Sequence, residues 1–127
     1  MIGRIAAILA LMFAAVLVPV GSAHADGIGH DAVIKNQKFS YTNLGICKDA
    51  ISETKCGSTH GWLSPGQNSK SKYGWADTDG IFCGKGWWCK VAAVTFRGYG
   101  SGWNSRFIKV GGCFGCTIPV YVWKDRG

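Results

Sequence analysis

Six cysteines constrain this chain more than any other feature. They stand at 47, 56, 83, 89, 113 and 116, and all of them follow an apolar N-terminal stretch. That stretch, "MIGRIAAILALMFAAVLVPVGSAHADG", has the parts of an export signal. Arg4 supplies the positive start, residues 5–20 the apolar run, and Ala23-His24-Ala25 a small-x-small cleavage site. The run falls short of the roughly 20 apolar residues that span a bilayer, so cleavage before Asp26 is expected rather than a retained anchor. No cysteine stands directly at the end of the run and no twin arginine precedes it, which points to general secretion and not to a lipoprotein. An even number of cysteines in a short exported chain reads as a disulfide framework of three bridges. The chain therefore divides into a signal peptide (1–25), a loose leader (26–38) and a single β-domain (39–127), with a secreted, extracellular location.

The mature chain is about the size of one small domain, whose core is modest for its surface. Turn signals recur every 8 to 12 residues after the leader: Gly57-Ser58, Pro65-Gly66, Asp79-Gly80, Gly84-Lys85-Gly86, the glycines of 98–102, and Gly111-Gly112. Between them lie short runs of aromatic and β-branched residues, and no capped amphipathic helix is visible. Strands are expected at 39–47, 61–63, 73–76, 81–83, 88–97, 106–110 and 117–124. The fold class is all-β: a small, disulfide-stapled antiparallel β-sandwich or barrel following a cleaved signal helix. Both faces of 88–97 are largely apolar, which suits a central strand. Its alternation groups Trp88, Val94 and Phe96 on an inward face and leaves Trp87 outward beside Lys85. In 117–124, Ile118, Val120 and Val122 alternate against Pro119, Tyr121 and Trp123. Pro119 cannot donate to a ladder, so that strand is expected at an edge or with a bulge.

Three segments in order, "L-x-P-G-Q-x-S" from Leu63, "D-x-D-G-I-F" from Asp77 and "G-x-G-W-W" from Gly84, resemble small secreted β-domain proteins of actinobacteria of unknown function. Each segment is a turn signature. The resemblance implies a small β-fold and export, and it implies no catalytic residue.

The cysteines fit structure better than chemistry. Cys113-Phe114-Gly115-Cys116 has the spacing of a redox motif, but the βαβ context and helix start that would lower a thiol's pKa are missing. A turn there brings the two ends within disulfide reach. The Gly-Lys-Gly turn between Cys83 and Cys89 sets those two on facing strands, and Cys47 and Cys56 bracket a polar reversal. Local pairing as 47–56, 83–89 and 113–116 is the simplest of the 15 arrangements. A zinc set of Cys56, His60, Cys113 and Cys116 has permissible spacing, but oxidised cysteines do not ligate metal. "DTDG" (77–80) lacks the offsets of a calcium loop and reads as an Asp-rich turn. A Cys56–His60 nucleophile and base would need an unpaired Cys56. "GYGSG" (98–102) lacks the lysine and helix of a phosphate loop and reads as a hairpin turn. No metal site, no cofactor and no catalytic residue is expected.

Charge and aromatics carry what function the sequence offers. The chain has 14 basic and 7 acidic residues, a balance that favours anionic partners. All six tryptophans lie in the mature domain, most of them suited to a sandwich core. One or two exposed beside cations would suit sugar rings, headgroups and anionic polymers. The candidate binding residues are Lys85, Trp87, Lys90, Arg97, Trp103 and Arg106. The expected function is a monomeric, secreted binding protein. Its partner would be an anionic cell-envelope polymer or another exported protein, with no specific nucleic acid and no membrane beyond the signal step. The alternative is an antimicrobial or toxin-like protein, or a protease inhibitor acting through the 83–89 loop.

Overall fold

The computed structural model describes residues 32–111 and 115–126; the signal segment, residues 26–31 of the leader and Cys113 lie outside them. In chain order the strands are β1 (Val33–Asn36), β2 (Leu44–Cys47), β3 (Ala50–Ser52), β4 (Lys55–Cys56) and β5 (His60–Leu63). After a short helix α1 (Ser69–Tyr73) follow β6 (Gly80–Cys83), β7 (Trp87–Val91), β8 (Val94–Arg97), β9 (Arg106–Lys109) and β10 (Thr117–Lys124). A first sheet has the order β1-β10-β7-β8 and a second the order β5-β2-β6-β9, while β3 and β4 form a separate hairpin.

Period-two alternation builds the core between the two sheets. Ile34, Ile118, Val120, Val122, Cys89 and Val91 come from the first sheet, and Leu44, Ile46, Leu63, Ile81, Cys83 and Ile108 from the second. All twelve are buried. The fold is thus the expected all-β sandwich, closed by side chains that alternate inward from both layers.

Two of the expected disulfides are present, Cys47–Cys56 and Cys83–Cys89. The second is not a staple within one hairpin, as the Gly-Lys-Gly turn suggested. β6 and β7 belong to opposite sheets, so the bridge ties the two layers together through the core, where both cysteines are at most 1% exposed. Cys116 is also disulfide-bonded; the expected 113–116 pairing involves a residue outside the described ones.

Several strand expectations are corrected. The segment 88–97 is not one strand but the hairpin β7–β8, reversed at Ala92-Ala93 with Ala92 at φ 54°. No glycine or asparagine marks that turn, although such positions favour them. The expected strand 73–76 does not form: Tyr73 ends α1, which is capped by the Asn68 side chain accepting from the Ser71 N–H and closed by Gly74 at φ 75°, and residues 74–76 are irregular. The run 39–47 is strand only from Leu44. Residues 33–36 of the leader are not loose, because β1 pairs with β10. That pairing is parallel, which the long chain separation between the two strands permits.

Pro119 does not mark an edge, since β10 lies between β1 and β7. The geometry explains the tolerance. The Pro119 carbonyl points toward β7 and accepts the Ala92 N–H at 2.9 Å. β7 ends at Val91, so the place of the missing N–H faces the turn and breaks no ladder. "GYGSG" is likewise not a hairpin turn but part of the crossover from β8 in one sheet to β9 in the other.

Candidate functional site

The outward faces of the two sheets differ, and the alternation along each strand decides what they show. On the first sheet the outward register partners are Trp123 opposite Trp88, Tyr121 opposite Lys90, Trp88 opposite Arg97 and Lys90 opposite Thr95. Tyr121 and Trp123 stack at 5.1 Å and 21°, and Trp123 and Trp88 at 6.3 Å and 12°. The Arg97 guanidinium lies 5.7 Å from the Trp88 ring and ion-pairs with Asp125 at 2.6 Å. Three rings and a cation therefore form one continuous stack across two strands and onto a third.

The free end of this stack opens into a cleft of about 490 Å³, lined by Gln37, Phe39, Lys90, Ala92, Pro119 and Tyr121. Phe39 is 76% exposed. Its position follows from the chain after β1, where the Gln37 N–H donates to the Val120 carbonyl and the Tyr41 N–H to the Val122 carbonyl. The Ser40 side chain is tied down between them, donating to the Val120 carbonyl and accepting from the Val122 N–H. The segment 37–41 is thus held along the flank of β10, with Phe39 standing over the sheet. A cleft of this size with two aromatic walls, one amide and one ammonium can take a ring-shaped ligand that carries negative charge.

The sequence-expected binding residues are distributed unevenly. Lys90 and Arg97 do share this outward face. Trp87 does not stand outside; it packs against the core, with Lys124 Nζ 6.0 Å from its ring. Trp88, expected inside with Val94 and Phe96, is the outward one, so the parity of the pair is reversed. The reversal follows from Cys89, whose bridge to Cys83 points it into the core and takes Trp87 and Val91 with it. Lys85 is exposed on the 84–86 turn. That turn is held on both sides, by the Lys85 N–H donating to the Gly100 carbonyl and the Asp125 N–H donating to the Gly86 carbonyl. Arg106 lies 5.1 Å from the Phe96 ring and donates to the Arg97 carbonyl, at the sheet edge. Trp103 is on the other side of the sandwich, in a 3-10 turn (Gly102–Asn104) of the β8–β9 crossover that packs over the second sheet. Phe39, Trp88, Tyr121 and Trp123 were not among the expected residues. The signal for two of them was present in the alternation of 117–124, which already separated Tyr121 and Trp123 from the core side chains.

The outward face of the second sheet is built around Gly45. A Cβ there would lie 3.2 Å from the six-membered ring of Trp103, so a larger residue would press that ring from its seat by a few tenths of an ångström. Trp103 also meets His60 at 4.5 Å and Phe82 at 5.2 Å. The His60 Nε2 lies 2.8 Å from the Gly57 carbonyl, which can only accept, so Nε2 donates. Cys56 is bonded to Cys47, which removes it from both the zinc set and the nucleophile pair weighed above. Among the described residues no helix is long and apolar enough to cross a membrane.

Together these features define a disulfide-stapled β-sandwich with an aromatic, cationic face. No protein-family model, curated protein or solved structure matches the chain.

Proposed function

We propose that this chain is an exported binding protein whose ligand is an anionic polymer of the cell envelope, held on the outward face of the first sheet. The observation that carries the reading is the Phe39–Tyr121 cleft with Lys90 at its side, continuous with the Tyr121–Trp123–Trp88–Arg97 stack. Stacked neighbours hold the rings in place before a ligand arrives, which lowers the ordering cost of binding. An apolar ring face beside an ammonium group suits a sugar ring bearing a carboxylate or phosphate. The net charge, +7 for the full chain and +6 once Arg4 leaves with the signal segment, draws such polymers from a distance. The N-terminal export signal and the disulfides support an extracellular place of action. An inhibitor reading would rest on a projecting loop, and the 84–86 turn is tied to Gly100 and Asp125 instead.

The test is sedimentation of purified protein with insoluble peptidoglycan that retains its anionic polymers. Wild-type protein should co-sediment at low salt and be released as salt rises. Phe39→Ser with Tyr121→Ser should lose this salt-released binding while keeping the wild-type circular dichroism. Co-sedimentation of that variant at the wild-type level would overturn the proposal.

A further inference from the structure

The opposite face of the sandwich carries a second aromatic surface that the first does not explain. Trp62 and Trp103 are 47% and 49% exposed, and both adjoin Gly45. Trp62 is the register partner of Gly45 on β5, and Trp103 lies over the space that the glycine leaves. Lys72 pins Trp62 in place. Its Nζ lies 3.2 Å from the ring centroid and donates to the Trp62 carbonyl at 2.7 Å. Trp103 is set from beneath by Phe82 and His60. Neither indole fills the core, yet both are positioned.

Hydrogen-bonding side chains surround Trp103. A cleft of about 260 Å³ on one side includes Thr42, Asn43 and Ser105, and one of about 370 Å³ on the other includes Thr54, Asn104 and Lys55. Neither cleft is lined by a carboxylate; the smaller has no lysine or arginine and the larger has one, Lys55. This chemistry differs from that of the first face. Nucleic acid would also stack on tryptophan, but it calls for a track of cations along its phosphates. An uncharged pyranose needs what is here: an indole face for its C–H groups and amide and hydroxyl partners for its hydroxyls.

We infer that Trp103 and its flanking clefts form a second site, for a neutral glycan ring. The site stands on its own residues. Its consequence, that one domain bridges two polymer strands from opposite faces, rests on the reading of the first face given above.

A soluble β-1,4-linked N-acetylglucosamine oligomer is the probe for the second site. Its binding to the full chain should be insensitive to salt and should shift the indole N–H resonance of Trp103, leaving those of Trp88 and Trp123 in place. Trp103→Ala should weaken it by about three- to tenfold, the range of one aromatic contact, and Trp103→Tyr should restore most of the loss. Unchanged affinity in a folded Trp103→Ala, or an unmoved Trp103 resonance in the wild type if the alanine variant does not fold, would overturn the inference. Bridging is read separately, as clumping of peptidoglycan sacculi. Trp103→Ala should still co-sediment yet clump them less, whereas Phe39→Ser with Tyr121→Ser should lose the salt-released part of co-sedimentation and keep oligomer binding. Failure of that last variant to lose the salt-released part overturns the proposed function and leaves the Trp103 site intact. Undiminished clumping by Trp103→Ala overturns the bridge.

Discussion

Trp123 on β10 faces Trp88 on β7 across the ladder, with ring centroids 6.3 Å apart and planes 12° from parallel. Its neighbour in sequence, Trp87, points the other way and packs against the core. Two adjacent tryptophans thus have opposite tasks, and substitution should separate them. Trp87→Ala opens a void against buried side chains and should cost about 2–4 kcal/mol. Trp88→Ala removes a partly buried stacking partner on the outward face and should cost about 1 kcal/mol. Urea melts of the two variants check this. Equal losses would mean that the stack contributes as much to the fold as the core does.

Cys83 and Cys89 join the two sheets, whereas Cys47 and Cys56 anchor the β3–β4 hairpin. Both close short loops, and the chain-entropy model assigns each about 2–3 kcal/mol. The first pair also fills the core, so its removal adds a packing loss of about 1 kcal/mol. Cys83→Ala with Cys89→Ala should therefore lower the urea midpoint more than Cys47→Ala with Cys56→Ala. The reverse order would show that the hairpin, and not the sheet-to-sheet bridge, limits stability.

The parts of this fold that could be read from the sequence are those where one strand has one buried face. Ile118, Val120 and Val122 announced β10, and the cysteine spacings announced both described disulfides. The β7–β8 hairpin stayed hidden because Ala92-Ala93 turns without a glycine, so ten residues looked like one strand. That single missed turn also carried the false parity of Trp87 and Trp88. Helix α1 is too short to show a 3.6-residue period, and only Asn68 and Gly74 mark it. The binding face was half legible. Lys90 and Arg97 could be picked out by charge, but Phe39 reaches the Lys90 cleft only through a parallel pairing of β1 with β10, a contact that no local pattern encodes.

Ala92 holds a backbone conformation, φ 54°, that costs an L-residue roughly 1–2 kcal/mol. Glycine removes that cost and returns about 0.5–1 kcal/mol through its freer unfolded chain. Ala92→Gly should stabilise the protein by about 0.5–1 kcal/mol, read as a higher midpoint with an unchanged urea slope. A lower midpoint would mean that the alanine methyl, on the rim of the Phe39–Tyr121 cleft, contributes packing that outweighs the strain.

The two cations of the binding face are not equivalent. Arg97 is offset by Asp125 at 2.6 Å and leans on the Trp88 ring, so its charge is partly spent before any ligand arrives. Lys90 is exposed and takes part in none of the ion pairs among the described residues. Lys90→Ala should weaken sedimentation with anionic peptidoglycan and lower the salt dependence of log affinity by about one, as for a single phosphate contact. Asp125→Asn should do the opposite. It leaves Arg97 uncompensated and should tighten binding at low salt, an advantage lost near 1 M salt, where the screening length is about 3 Å. Binding isotherms at several salt concentrations test both signs at once. If Lys90→Ala and Asp125→Asn shift affinity in the same direction, the ligand is not held by charge at this face, and the aromatic cleft alone must account for it.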